Sequence, residues 1–175
     1  AYLRIRFFLI LSRFKINELF MLTFLNSLPT ERKAWLTLAG VATTFELVAM
    51  YFQHIMGLAP CVMCIYQRTA MLGLVGAGLV GAIAPHNFGC RLAGYALWGY
   101  SAIKGLLLAV EHVGIQTTQS PFFSCDFRPN FAHTLPLDEW LPFFFKADGD
   151  CASISWMFIG WSMSQWMVVI FGCFV

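Results

Sequence analysis

Three long apolar runs are the feature that most constrains how this chain can fold. They cover residues 34–53, 65–84 and 92–110, and each is close to the ~20 residues that a helix needs to cross a bilayer. Only 11% of the 175 residues are charged, whereas a soluble domain has roughly 25%. Backbone groups in lipid must be satisfied internally, which favours helices. We therefore predict an all-α integral membrane protein.

A fourth apolar segment closes the chain. Residues 154–175 are interrupted by Ser162, Ser164 and Gln165, so the continuous apolar part begins at Trp166. Ten helical residues extend ~15 Å, about half of a bilayer core. We predict a fourth helix at 164–175, cut short by the end of the chain. The expected fold is one four-helix transmembrane bundle over residues 21–175.

The distribution of charge predicts the orientation in the membrane. Six of the eleven basic residues precede position 34, whereas the segment 111–151 holds six acids and two bases. Basic residues in short loops mark the cytoplasmic side. We expect a cytoplasmic N-terminus and two outer loops, 54–64 and 111–163, in an oxidising compartment where disulfides persist. The expected surroundings are the lipid bilayer, and no nucleic acid is expected as a partner.

A thiol pair lies where the second apolar run begins, in the stretch Pro60-Cys61-Val62-Met63-Cys64-Ile65-Tyr66-Gln67-Arg68. Alone, such a pair is also compatible with apolar filling or half of a metal site. Pro60 predicts a helix start, and a helix N-terminus lowers the pKa of a thiol. Cys64 and Arg68 are four residues apart and share a helical face. A cation just inside a membrane helix indicates function, although it could also extend to the lipid headgroups.

Two further cysteines fall in the second outer loop. Cys125 and Cys151 are 26 positions apart, and a disulfide between them would close a loop of ordinary size. Such a disulfide could be a structural staple. Two outer pairs also suit a relay, because thiolates attack disulfides through mixed intermediates. The sequence has no CxxCH haem motif, and no GxGxxG opens a helix as a dinucleotide site requires, so a lipid-soluble quinone fits best as the terminal acceptor.

The chain resembles the bacterial disulfide bond formation protein B family, inner-membrane quinone reductases that reoxidise a periplasmic dithiol oxidase. The resemblance runs from about residue 21 to residue 175. The motifs that carry it are Trp35, Phe45-Glu46-Leu47, Tyr51-Phe52-Gln53-His54, the segment 60–68, Gly81-Ala82-Ile83-Ala84-Pro85, Glu111-His112, Ser120-Pro121-Phe122, Cys125-Asp126-Phe127, Leu135-Pro136-Leu137-Asp138, Trp140-Leu141-Pro142 and Ala147-Asp148-Gly149-Asp150-Cys151.

The resemblance implies a route for electrons through four catalytic cysteines. Cys125 would receive the attack of a reduced DsbA-like periplasmic oxidase and form the mixed disulfide. Cys151 would be the partner of Cys125 and would pass electrons to Cys61 through an inter-loop disulfide. Cys64 would then be the thiolate that faces the acceptor. The implied location is the bacterial inner membrane, with the redox loops in the periplasm.

The resemblance also implies the acceptor site. Arg68 would hold ubiquinone or menaquinone beside Cys64, and His112 would lie close to the same ring. No metal is implied. Gln67 and Lys104 depart from the family member best known to us, which has an acid and an arginine there. Residues 1–20 precede the matching region, and we interpret them as an upstream extension that need not be native.

Alternatives to this function come from other classes of protein. A protein similar to vitamin K epoxide reductase also combines four helices, a CxxC pair and a quinone, but its CxxC normally lies near the last helix. A non-enzymatic adaptor could use the cysteines for zinc or as a structural staple, although a four-cysteine zinc site usually has two CxxC pairs. Glu46 could relay protons, but it is expected to be neutralised or to pair within the bundle. Cys90 and Cys173 are expected to be small apolar fillers.

Overall fold

The computed structural model describes residues 31–118 and 137–175, and the interpretation of residues 1–20 therefore lies outside the described part. Within these ranges, three helices are long and apolar enough to cross a membrane: α1 (Arg32–His54), α2 (Val62–Ile83) and α3 (Phe88–Thr118). Two single turns follow, α4 (Leu137–Trp140) and α5 (Pro142–Phe145), then a short hairpin of β1 (Met157–Phe158) and β2 (Trp161–Ser162), and finally α6 (Met163–Phe174). The prediction of a helical membrane protein is confirmed.

Helices α1 and α2 approach each other closely because α2 presents glycines to α1. A Cβ atom on Gly78 would lie 2.7 Å from the backbone nitrogen of Ala39, and one on Gly81 would overlap the ring of Trp35. Small residues allow such contact between membrane helices, as the glycine-rich sequence of α2 predicts. The face of α1 toward the bundle is a stripe at helical spacing, formed by Trp35, Ala39, Ala42 and Glu46.

Helix α2 begins three residues before the predicted start. Cys61 is its N-cap, and the Cys61 sulfur accepts a hydrogen bond from the backbone N–H of Cys64 at 3.3 Å. Hydropathy did not reveal this start, because the cap depends on one side-chain acceptor. The helix ends at Ile83, since Pro85 disfavours helical geometry at the residue that precedes it.

Helix α3 is longer than predicted at both ends, so the bounds 92–110 were wrong. It continues to Thr118, well into the predicted outer loop 111–163. Its buried stripe explains the extension, because the same face stays buried beyond the apolar run through Gly94, Ser101, Ala102, Gly105, Ala109 and His112. Hydropathy indicates where the membrane-spanning segment ends, whereas packing against neighbouring helices determines where the helix itself ends.

Helix α6 begins at Met163, one residue before the predicted start. Ser162 and Gln165 form a capping box, in which each side chain bonds the backbone N–H of the other residue. The polar residues that interrupt the apolar run therefore start the helix. Phe171 is fully buried against Gly105 of α3, and the indole nitrogen of Trp98 donates to the carbonyl of Phe174 at 2.9 Å. These contacts hold α6 on α3.

The hairpin of β1 and β2 was not predicted. Met157 pairs with Ser162 and Phe158 with Trp161 in antiparallel register. Its two turn residues, Ile159 and Gly160, both have positive φ angles, of 54° and 78°. Such angles suit the tight turns that match the twist of a hairpin. The hairpin brings the chain back to the bundle just before α6.

Candidate dithiol site and its cavity

The thiol pair lies at the mouth of α2, with Cys61 at the cap and Cys64 one turn inside. Both are free cysteines, and their sulfur atoms are 2.7 Å apart. The pair can therefore form a disulfide with little movement. Contrary to the helix-terminus argument, the pKa of the Cys61 thiol is raised, first by its hydrogen bond to the Cys64 sulfur and then by burial.

Arg68 points into the bundle and does not extend to the headgroups. Only 6% of it is exposed. Its Nη1 atom donates to the side-chain oxygen of Gln53 and to the backbone carbonyl of Phe144, each at 2.6 Å. Its Nε atom lies 3.6 Å from a carboxylate oxygen of Glu46. This buried cation is therefore balanced by one acid and two neutral acceptors.

Helix α1 supplies two of these partners. Glu46 pairs within the bundle, as the sequence analysis expected. Gln53 gained no functional assignment from its sequence, although it follows Glu46 by seven residues and so shares the same helical face. A polar residue in register with a buried acid was the signal that could have identified it.

The single turn α5 closes the outer side of this polar cluster. The backbone carbonyl of Phe143 accepts from the side-chain nitrogen of Gln53 at 3.4 Å and lies 3.2 Å from Nε2 of His54. The rings of His54 and Phe143 stack at 4.0 Å. A helix of one turn leaves its carbonyls without helical partners, so side-chain donors from α1 and α2 bind them. Phe145 is buried beneath this turn.

His112 lies between the thiol pair and the second outer loop. It is 97% buried, because α3 continues six residues past it to Thr118 and keeps it on the packed face of the helix. Its Nε2 atom is 3.6 Å from the Cys61 sulfur and 3.2 Å from the Cys151 carbonyl oxygen. Its Nδ1 atom is 3.3 Å from the Gln67 side chain. A ring that accepts from Gln67 at Nδ1 carries its proton on Nε2, facing both cysteines.

The segment before Cys151 is bound directly to the residue before Cys61. The backbone N–H groups of Asp148 and Gly149 both donate to the Pro60 carbonyl, at 3.1 and 3.0 Å, and Cys61 and Gly149 form an isolated parallel bridge. Cys151 is itself buried and disulfide-bonded. The assignment of Cys125 as the first cysteine of the relay lies outside the described residues.

A cavity of about 340 Å³ opens beside these groups, within the ordinary range for small-molecule sites. Five of the side chains described above line it: Cys61, Cys64, Gln67, Arg68 and His112. Most of the lining is apolar and includes Phe45, Val48, Met71, Trp156, Met167 and Ile170. Gln116 and Ser164 also line the cavity, and the hydroxyls of Ser162 and Ser164 both donate to the Gln116 side chain. The sequence analysis did not single out Gln116.

The fold and the site together define a helical membrane protein with a redox-capable dithiol at the wall of a ligand-sized cavity. The sequence model of the family described as disulfide bond formation protein DsbB matches residues 31–175. The chain belongs to this family.

Individual relatives agree with the family match. Disulfide bond formation protein B of Psychromonas ingrahamii is 51% identical over 161 residues, which cover 92% of this chain and 87% of that protein. The protein of the same name from Sodalis glossinidius is 53% identical over 155 residues, which cover 89% of this chain and 88% of that protein. The one from Vibrio cholerae is 51% identical over 151 residues, which cover 86% of this chain and 87% of that protein. The chain therefore has a redox role in disulfide bond formation, and the alternative similar to vitamin K epoxide reductase is set aside.

Proposed function

We propose that this protein is a protein-dithiol:quinone oxidoreductase of the bacterial inner membrane. It takes two electrons from a periplasmic DsbA-like oxidase and delivers them to ubiquinone or menaquinone, so that secreted proteins continue to acquire disulfides. Its N-terminus is cytoplasmic and both redox loops face the periplasm. Family membership and the excess of basic residues near the N-terminus support this proposal.

One observation carries the proposal. The free pair Cys61 and Cys64 lines the same cavity as a buried arginine, Arg68. A structural thiol pair needs neither a cavity nor a cation, and a cation within a membrane helix marks a functional site by default. The three side chains together suit an acceptor that arrives through the bilayer.

The cavity wall fits a quinone. The apolar lining suits a flat ring with an isoprenoid tail, and the polar side chains offer donors for the carbonyl oxygens. Arg68 commits Nη1 to Gln53 and Phe144, and within residues 31–118 and 137–175 nothing accepts from its Nη2. That atom is available to donate to a carbonyl oxygen, and His112 lines the same cavity. A bound quinone supplies the capacity to accept two electrons and two protons.

The four cysteines divide the transfer into steps that balance. A thiolate of the reduced partner attacks Cys125 of the Cys125–Cys151 disulfide, and the Cys151 sulfur leaves as a thiolate. The second partner thiol then displaces Cys125, so the partner leaves oxidised and the loop pair is reduced. Cys151 next attacks the Cys61–Cys64 disulfide at Cys61 and releases the Cys64 thiolate toward the cavity.

The described contacts suit the step between the two pairs. Cys61 and Cys151 are both buried in one cluster with Val62 and Met63, so the attack takes place away from water. Attack by Cys125 on Cys151 in the inter-loop disulfide restores the loop disulfide and frees Cys61. The reduced pair of Cys61 and Cys64 then gives up two electrons and two protons, and its disulfide forms again.

The testing experiment mixes detergent-purified protein with a reduced DsbA-like oxidase and a soluble ubiquinone analogue. Quinone absorbance is followed over time. We expect loss of the oxidised-quinone signal that requires both the partner and the cysteines of this chain. No loss with the ubiquinone analogue and none with a menaquinone analogue, in protein whose loop disulfide is intact, would reject the proposal.

A further inference from the structure

Three side chains at the mouth of α2 form a set of soft metal ligands. The sulfur atoms of Cys61 and Cys64 and a ring nitrogen of His112 all lie within 4.8 Å of one another. Two thiolates with one imidazole are ligands that zinc and cadmium prefer. The relay described above uses these cysteines for electrons only and assigns them no metal.

The separations of these atoms can be compared with those in a zinc site. Tetrahedral zinc with Zn–S of about 2.3 Å and Zn–N of about 2.05 Å requires ~3.6 Å between sulfur and nitrogen and ~3.8 Å between the sulfurs. The distance from the Cys61 sulfur to Nε2 of His112 is already 3.6 Å, whereas the two sulfurs are 2.7 Å apart. The Cys64 sulfur must therefore move by about 1 Å. Cys64 is only half-buried and lines the cavity, so rotation of its side chain has space.

The side-chain amide of Gln67 lies beside the other ring nitrogen of His112. A metal-bound histidine normally donates its other N–H to an oxygen, which fixes the ring. The amide nitrogen of Gln67 is 3.3 Å from Nδ1 of His112 and donates to the Leu108 carbonyl at 3.4 Å. A half-turn of the amide presents its oxygen to Nδ1 and gives up the bond to Leu108. Nε2 then exchanges its contact with the Cys151 carbonyl for the metal.

We propose that the reduced protein binds one zinc-class divalent ion through Cys61, Cys64 and His112, with the fourth position open to the cavity. Binding releases the thiol protons and transfers no electrons. The oxidised pair offers no thiolate, so binding depends on the redox state. The blocking effect rests on the proposed function: a metal that holds both sulfurs prevents them from forming a disulfide, and turnover stops.

The experiment uses the full chain in detergent without oxygen, zinc sulfate, and a chromophoric zinc indicator as competitor. The starting protein carries Cys125→Ser with Cys151→Ser, which removes the loop thiols. We expect one zinc per reduced chain and none per oxidised chain. His112→Ala should weaken binding at least 10-fold, and Cys64→Ser at least 100-fold. Cys90→Ser and Cys173→Ser, at free cysteines outside the site, should leave the affinity unchanged.

Several results would overturn this proposal. Equal binding by oxidised and reduced protein would do so without any variant having to fold. Binding that disappears when only the loop thiols are removed would mean a four-cysteine site instead. An unchanged affinity in His112→Ala would exclude the histidine as a ligand.

A separate arm adds zinc to wild-type protein that reduces quinone. Turnover that persists at saturating zinc would refute the blocking effect. The indicator reads binding independently of activity, so zinc binding without any quinone reduction would reject the proposed function and leave the metal site standing.

Discussion

Replacing Gly149 by alanine tests the contact that holds the second outer loop against the thiol pair. A Cβ atom at this position would meet the Ala59 carbonyl oxygen at a separation that real Cβ atoms essentially never show, and it would lie 3.1 Å from both the Ala59 carbonyl carbon and the Cys61 nitrogen. All three are backbone atoms, so no side-chain rotation can relieve the overlap. The loop segment must move away from Pro60.

The magnitude follows from the contacts that would be lost. Overpacking of a tight contact costs about 1–3 kcal/mol. The two N–H groups that donate to the Pro60 carbonyl contribute about 0.5–1.5 kcal/mol each, and they share one acceptor. We expect Gly149→Ala to destabilise the docked position of the loop by about 2–4 kcal/mol in total. At 1.4 kcal/mol per tenfold change, the ratio of docked to undocked loop falls by about 30- to 700-fold.

The assay separates transfer between the pairs from the chemistry at the cavity. In one reaction, reduced partner oxidase drives quinone reduction through the loop disulfide and then through Cys61 and Cys64. In the other, a small dithiol reduces the latter pair directly. For Gly149→Ala we expect the partner-driven rate to fall at least tenfold and the small-dithiol rate to stay within about twofold of wild type, because only the first reaction needs the docked loop.

The matched control is Gly40→Ala in α1, where an added Cβ meets nothing within 4 Å. Both reactions should keep their wild-type rates in this variant. A wild-type partner-driven rate in Gly149→Ala would refute the reasoning, since the methyl group would then have been accommodated. Equal losses in both reactions would show general damage to the fold rather than release of the loop.

Three other substitutions test the site and the bundle. Cys64→Ser should abolish quinone reduction while the loop disulfide still oxidises one equivalent of partner; multiple turnovers, counted by partner thiols, would exclude the assigned role. Arg68→Gln should raise the quinone KM about 10- to 150-fold, which corresponds to the loss of a charged hydrogen bond of about 1.5–3 kcal/mol. The same substitution should lower the stability of the protein, because Glu46 stays buried without its cation. An unchanged KM would locate the quinone elsewhere. Gly78→Ala should lower the midpoint of thermal unfolding, because the added Cβ overlaps α1. Gly76→Ala should leave the midpoint unchanged, because its added Cβ would have its nearest neighbour 3.6 Å away. Equal midpoints for the two variants would show that α1 and α2 can separate without loss of stability.

Hydropathy predicted the membrane helices, because a span needs a fixed length of apolar sequence whatever its neighbours are. It predicted the start of α6 to within one residue, but it missed the starts of α2 and α3 by three and four residues. Two of these starts depend on single acceptors, the Cys61 sulfur for α2 and the Ser162 hydroxyl for α6. The Ser162–Gln165 capping box was visible in the sequence and could have been used. The extension of α3 to Thr118 depends on packing, which apolar content alone does not report.

The arrangement of the site was only partly predictable. Spacing within one helix correctly put Cys64 and Arg68 on the same face, since both line the cavity. The contact of Gly149 with Pro60 joins residues far apart in sequence, and no local pattern encodes it. The raised pKa of Cys61 likewise comes from its hydrogen bond to Cys64 and from burial, two effects that the helix-terminus argument leaves out. Spacing along a helix could thus be predicted, whereas the contact between loop and helix and the balance of effects at the Cys61 sulfur could not.

The pairing of Arg68 determines what this residue can contribute to a ligand. A buried ion pair adds little to stability compared with apolar residues of similar size, so stability alone gives no reason to keep one inside a membrane helix. Glu46 balances its charge, and Gln53 with the Phe144 carbonyl fixes its plane. What remains is an oriented donor on the cavity wall, whose direction matters more than its net charge. Such a group suits a neutral ligand with carbonyl oxygens better than an anion, and this favours a quinone over a charged acceptor.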